Sequence, residues 1–360
     1  MPPVYALSLR QLYEQVIADV RDGKAVTIHP ELYRAYSENL VSGVSGVFAP
    51  SSNSDKYLDM QIQFEANTAR FGAYKAFHAT QQLQRQLADA DGVARSPEDF
   101  DRMARAVLNT FNRYQAAEYN TAVARARSAK QWTDFSQPDN IFLFPNLRWI
   151  PSRSADPREQ HIPFYNRVWA KNDPFWNSNQ PGNLWNCKCD WEETDDPVTD
   201  GNPEGLKPAK GLEGNPAKTG QIFTDECTYV KKAEKGAEHA VLKTMWKDNF
   251  NWAMENINGK KVRNPGINEV INISRRGIKE FLNQNHNDYI VKNQMIRHIN
   301  DILSNAEYMG ETQYGGKVSK IFKIKLNGKD NYIIANYDID NNLFLYSITE
   351  SNKVLNGIKK

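Results

Sequence analysis

The sequence predicts an α+β multidomain protein: a mainly helical N-terminal domain ending in a small irregular β element, then a small α+β domain with an antiparallel sheet. Three observations predict it. Apolar residues recur at helical spacing through the first 130 residues. From Asn140 the chain turns aromatic, proline-broken and short in period. Near residue 249 asparagine becomes frequent, a basic excess begins, and helix patterns give way to alternating strands.

In the first region, SPEDFDRMARAVLNTFNRYQAAEYNTAVARARSAKQW opens with Ser96 as a helix cap and Pro97 in the first turn. Glu98 and Asp99 suit the positive end of the helix dipole. Phe100, Met103, Ala104, Val107, Leu108, Phe111 and Tyr114 follow with helical spacing, and the same test predicts a helix over Met60 to Leu87. IFLFPNLRWIPSRS reads as strands and tight loops. Val198 to Gly220, punctuated by Gly201, Pro203, Gly205, Pro208, Gly211, Gly214, Pro216 and Gly220, reads as an extended connector.

In the last region VINIS is strand-like, RRGIKEFLNQ is a short helix, and Tyr289 to Ala306 places Val291, Met295, Ile299, Ile302 and Ala306 on one helical face. SKIFKIKL, DNYIIANYDI and NLFLYSITE are three strands. Asn327-Gly328 supplies the first hairpin turn, because a type I′ turn needs positive φ at both central positions, and Asp340-Asn341-Asn342 supplies the second. The expected domains are 1–232, with a core at about 60–230, a linker at 233–265, and a second domain at 266–357.

A chain of 360 residues, 40% hydrophobic, can bury more than one core. Three cysteines are too few for a secreted disulfide scaffold, so a reduced compartment is the simpler reading. Arg10, Glu14 and Asp19 interrupt the apolar positions of the first twenty residues, so no signal-peptide core and no membrane span are expected. Net charge is +2 but uneven: from Lys260 to Lys360, Lys and Arg outnumber Asp and Glu 16 to 10, against 29 to 33 before it. Such asymmetry fits either a nucleic-acid-binding module or ordinary surface chemistry.

NLWNCKCDW places Cys187 and Cys189 one residue apart, and His161 lies 26 residues upstream. Two thiolates and an imidazole are three ligands for a structural zinc, with Cys227 or Asp190 as a fourth. The competing reading has the same residues buried and hydrogen-bonded, holding a loop against Trp169, Phe175, Trp176, Trp185 and Trp191. A redox pair is disfavoured, because no thiol has an activating partner in sequence.

AAEYNTAVARARSAKQW, a strand, then Asp156, Arg158 and His161, then DPFW, QPGNLWNCKC and GNPAKTGQIF together resemble the phage Mu F-like minor head proteins, or head morphogenesis proteins. The resemblance covers roughly residues 60 to 230. It implies a structural protein present in a few copies near the portal, in contact with portal and capsid proteins, helping head assembly and entering the virion. Where that family commonly has Arg or Thr before the Glu of its central helix, this chain has Ala117 before Glu118, which leaves the role of Glu118 open.

Over about residues 266 to 357, element order and the phrases ISRRGIKEF and ILSNAEY resemble phage-associated nuclease toxins of the barnase, EndoU, colicin and RelE superfamily. The resemblance implies a ribonuclease without a metal cofactor, acting on host RNA in the bacterial cytoplasm and restrained by an immunity protein. Such chemistry needs proton transfer at the 2′-OH and the 5′-oxygen, and cations around the phosphorane. His286 or Glu280 would move protons. Arg275, Arg276 and Lys279 would hold phosphate, and Ser347 would complete the site. Lys320, Lys323 and Lys325 would add nucleic-acid contacts. The plainer reading makes RRGIKE a solvated helix start, His286 an exposed turn residue and the three lysines one wet sheet face. The alternative function is a non-enzymatic C-terminal adaptor binding portal, capsid or DNA.

Overall fold

Ser96 caps its helix as its sequence position predicts: the hydroxyl accepts the Asp99 N–H at 3.2 Å, and Pro97 occupies the first turn. A computed structural model describes residues 9–24, 27–49, 54–201, 203, 207–314 and 317–359. The chain divides into two units, Met1–Val241 and Leu242–Lys360.

The first unit contains α1 (Leu9–Arg21), α2 (Pro30–Phe48), α3 (Ser54–Arg85), α4 (Pro97–Asn112), α5 (Gln115–Phe135) and the short α6 (Pro138–Leu143). Helix α3 carries the helix expected over Met60 to Leu87. The run expected after Ser96 is two helices, divided at Arg113 and Tyr114 because its two halves bury different things. Helix α4 buries Phe100, Ala104, Leu108 and Phe111, whereas α5 buries small and polar groups such as Thr121, Ala122, Arg125 and Ala126. Close approach explains two glycines: a Cβ on Gly72 would collide with the Ser37 backbone of α2, and one on Gly43 with the Tyr119 ring of α5.

The glycine- and proline-rich stretch is not a free connector along its whole length. Gly205 lies outside the described residues, but Leu212, Ile222 and Phe223 are buried in one cluster with Leu40, Phe64, Phe71 and Ala126. Arg125, fully buried in α5, fixes this strap by donating to the carbonyls of Leu212 at 2.8 Å and of Glu213 and Gly214 at 3.3 Å. The strap carries two short helices, α7 (Pro216–Thr219) and α8 (Thr228–Lys231). Composition signalled the lack of long regular structure; it did not signal that three backbone carbonyls would be satisfied from inside the helical core.

Between these parts lies a three-stranded antiparallel sheet in the order β2 (Val168–Ala170), β1 (Asn146–Ile150), β3 (Asp190–Thr194). Trp149 pairs with Trp191 across it. An aromatic core of Trp149, Phe164, Trp169, Trp176 and Trp191 covers one face, with Trp169 and Phe175 stacked at 4.2 Å. Trp185, expected in this cluster, stacks instead on Phe223 at 5.6 Å in the helical core, and Trp149 takes a place the sequence did not assign. The IFL of IFLFPNLRWI is helical, within α6.

The second unit begins within α9 (Ala237–Asn256). Residues 233–265, expected as a linker, therefore hold a helix and also β4 (Lys261–Arg263). Strands β5 (Val270–Asn272), β6 (Glu307–Tyr314), β7 (Lys317–Leu326), β8 (Lys329–Tyr337) and β9 (Leu343–Thr349) complete a six-stranded sheet ordered β4-β5-β9-β8-β7-β6. The expected meander is β7-β8-β9. Asn327 and Gly328 have φ of 51° and 70°, as the type I′ turn requires. Strand β6 was missed, its EYMGETQY lacking a clean alternation, and β5 pairs in parallel with β9 at Asn272 and Phe344.

Helix α10 (Arg275–Asn283) is capped by Ser274, whose hydroxyl accepts from Gly277 N at 3.1 Å. Tyr289 to Ala306 is not one helix but α11 (Tyr289–Gln294), a 3₁₀ turn and α12 (Ile299–Asn305). The asparagines repay their frequency inside: Asn264 Nδ2 donates to the Leu303 and Ala306 carbonyls, Asn272 to Leu343, and Asn336 accepts from Ser319.

Candidate functional site

Asn186, with φ of 58°, turns the chain into Cys187, and its N–H donates to Thr121 Oγ1 of α5 at 2.8 Å. This brings the Cys-x-Cys stretch onto the 3₁₀ turn Glu159–Phe164, which carries His161. His161 Nδ1 stands 3.3 Å from Cys187 Sγ and 3.3 Å from Cys189 Sγ, and Nε2 stands 3.0 Å from Asn183 Oδ1. His161 and Cys187 are buried and Cys189 half-buried. All three candidate ligand atoms lie within 4.8 Å of one another. A hydrogen bond from Cys189, then His161, holds the Cys187 thiol well below its ordinary value; the same pairing with Cys187, together with burial, pushes Cys189 up.

Neither expected fourth donor joins them. Cys227 Sγ packs on the Gly211 carbonyl in the helical core at 3.6 Å, and Asp190 accepts from Trp191 N and faces Arg153 at 3.7 Å. Two neighbours the sequence reading missed, Trp149 and Tyr165, interact with the Cys189 sulfur.

In the second unit, Arg276, Lys279 and Glu280 share one side of α10 at i, i+3 and i+4; Arg275, Arg276 and Lys279 are exposed and Glu280 half-buried. Backbone hydrogen bonds between Ile273 and residues 259 and 260 set Lys260 beside the start of this helix. Lys261 and Arg263, also exposed, flank buried Val262 on β4. Among the described residues none of these six cations has an ion-pair partner.

The other residues expected there are engaged elsewhere. His286 Nδ1 accepts from Asp288 N at 2.9 Å while Nε2 meets Asn331 Oδ1 at 2.8 Å, so both ring nitrogens are occupied. Ser347 is buried on β9, paired with Ile334. Lys320 is buried between Glu311 at 2.6 Å and Glu269 at 3.3 Å, and Lys323 and Lys325 both bind Asp330. The three lysines do not form one wet face, since Lys320 points to the opposite side from Lys323 and Lys325.

A third arrangement has no counterpart in the sequence reading beyond the open role of Glu118. Glu118 pairs with Lys75 inside the helical core and accepts from the Tyr229 hydroxyl at 3.3 Å. Burial pushes Glu118 up and Lys75 down, each partly offset by the other's charge. Glu118 also lines a cavity of about 670 Å³ with Phe71, Tyr114, Trp185 and Tyr229.

Residues 240–342 match the sequence model of large polyvalent protein-associated domain 3, a span from α9 to the β8–β9 turn. The match suggests a phage-associated protein. No curated protein and no solved structure matches the chain. No helix among the described residues is long and apolar enough to cross a membrane.

Proposed function

We propose that this chain is a phage minor head protein, built into the virion during head morphogenesis against portal and capsid proteins, whose C-terminal unit is a metal-independent ribonuclease toxin acting on host RNA. The phage association rests on the domain match. The head role is supported by the exposed apolar run Ile141, Phe142, Leu143 and Phe144, with Phe142 86% exposed, since a contiguous apolar patch of this kind marks a protein-docking surface. The observation that carries the nucleic-acid role is the set of exposed cations without an ion-pair partner among the described residues, on α10 and on and before β4, with Glu280 on the same side of α10 as Arg276 and Lys279. Arg275, Arg276 and Lys279 would bind phosphates, with Glu280 as the proton acceptor. His286 and Ser347 drop out of this reading.

The second reading, a non-enzymatic adaptor, is favoured by the engagement of both His286 nitrogens and of Lys320, Lys323 and Lys325. The test is incubation of the full chain with host RNA, followed by sequencing of new RNA ends. The enzyme reading requires cleavage that Glu280→Gln abolishes while binding persists. Binding without cleavage, lost in Arg276→Ala/Lys279→Ala, selects the adaptor. A toxin of this kind would pass from virion to host cytoplasm and call for an immunity protein in its carrier.

A further inference from the structure

The contacts around His161 fix which of its nitrogens carries the proton. Asn183 Nδ2 donates to the Ser178 carbonyl at 3.3 Å, which turns Oδ1 toward the ring, so Nε2 donates the 3.0 Å hydrogen bond. Nδ1 is left with a single in-plane lone pair. Two sulfurs approach it at 3.3 Å each, and one lone pair serves one S–H donor well, not two.

A shared cation removes the conflict. In a tetrahedral zinc site a sulfur ligand at about 2.3 Å and a nitrogen ligand at about 2.0 Å stand about 3.5 Å apart, within a few tenths of an ångström of the two 3.3 Å separations between His161 Nδ1 and the sulfurs. Charge also fits, because two thiolates neutralise a divalent ion in a site where His161 is 0% and Cys187 5% exposed. Trp149 Nε1 and the Tyr165 hydroxyl are buried with no hydrogen-bond partner beyond their interaction with the Cys189 sulfur, and they would donate to a metal-bound thiolate. Asn183 is the remaining outer support, fixing the His161 tautomer and ring.

We propose that His161 Nδ1, Cys187 Sγ and Cys189 Sγ bind one zinc ion, with water as fourth ligand, and that the ion staples the 3₁₀ turn Glu159–Phe164 to the segment entering β3. The inference is independent of the nuclease reading, for it concerns the first unit alone.

The full chain, expressed in zinc-supplemented medium, is assayed for metal content. The expected result is one zinc per chain, lost in His161→Gln and Cys187→Ser and kept in Cys227→Ser, whose thiol lies in another core. Because ligand variants can fail to fold, the wild-type chain is also stripped by a chelator and reloaded with cobalt(II). Sulfur-to-cobalt charge-transfer absorption and intense tetrahedral visible bands are expected. A chain purified without zinc, which when stripped gives no such spectrum and no melting shift on adding zinc, overturns the proposal. So does a zinc content that survives in both ligand variants.

Discussion

Lys75 and Glu118 meet as an ion pair inside the helical unit, with their side chains only 1% and 5% exposed and the Tyr36 ring 4.6 Å from the ammonium. With so little exposure, each charge depends chiefly on the other for compensation. Replacing one partner, as in Lys75→Met or Glu118→Gln, is expected to cost about 3–5 kcal/mol, and the double replacement Lys75→Met/Glu118→Leu to cost much less. Denaturant unfolding of the full chain, followed by tryptophan emission, checks both; equal losses for single and double variants would refute the coupling.

Lys292 predicts a pH dependence in the second unit. Its Nζ donates to the Phe281 and Leu282 carbonyls at 2.8 and 3.0 Å, at the end of α10, and burial pulls the ammonium down to about 7. A neutral amine still has two hydrogens for the two carbonyls. Below about pH 7 both states hold the proton and the burial penalty is fully present. From there to about 10.4, the ordinary lysine value, the unfolded chain binds more protons, so stability rises with pH. Urea midpoints for unfolding of the second unit across this range are expected to climb in the native chain and to stay flatter in Lys292→Met.

Gly277 sits where α10 passes β9. Alanine in an exposed helix would gain about 1 kcal/mol over glycine. Here its Cβ would collide with the Leu345 carbonyl oxygen, a backbone atom that cannot swing aside. Gly277→Ala is therefore expected to destabilise the second unit by about 1–3 kcal/mol, as overpacking does. A melting temperature equal to or above that of the native chain would show that α10 can shift away from the strand.

The basic face can be read by salt. Each phosphate contact to a single strand contributes about 0.7 to the slope of log K against log salt. Arg275→Ala/Arg276→Ala/Lys279→Ala is expected to reduce that slope by about 2, measured by fluorescence anisotropy of a labelled RNA at several salt concentrations. Lys323→Ala is expected to leave it nearly unchanged, because Asp330 already occupies that ammonium at 2.9 Å.

Local grammar was legible where one residue decides the outcome. Ser96 and Pro97 start a helix, Asn327 and Gly328 make a turn, and alternation marks β7 and β8. The convergence of His161 with Cys187 and Cys189 was readable because few residue types bind soft metals and these lie within thirty positions. What stayed hidden depends on distant partners. Nothing near Arg125 in sequence announces three carbonyls almost ninety residues on, and Asn331, which occupies His286, lies 45 residues away. Periodicity could not distinguish a lysine facing solvent from Lys320, which sits between two glutamates.

The parallel pairing of Asn272 with Phe344 has a consequence for when this protein becomes itself. The sheet's early strands find their inner neighbour only after some seventy further residues have left the ribosome, and contacts so far apart in the chain form late. During synthesis the second unit is thus expected to remain open, and a nascent chain cut short before residue 343 is expected not to close its sheet.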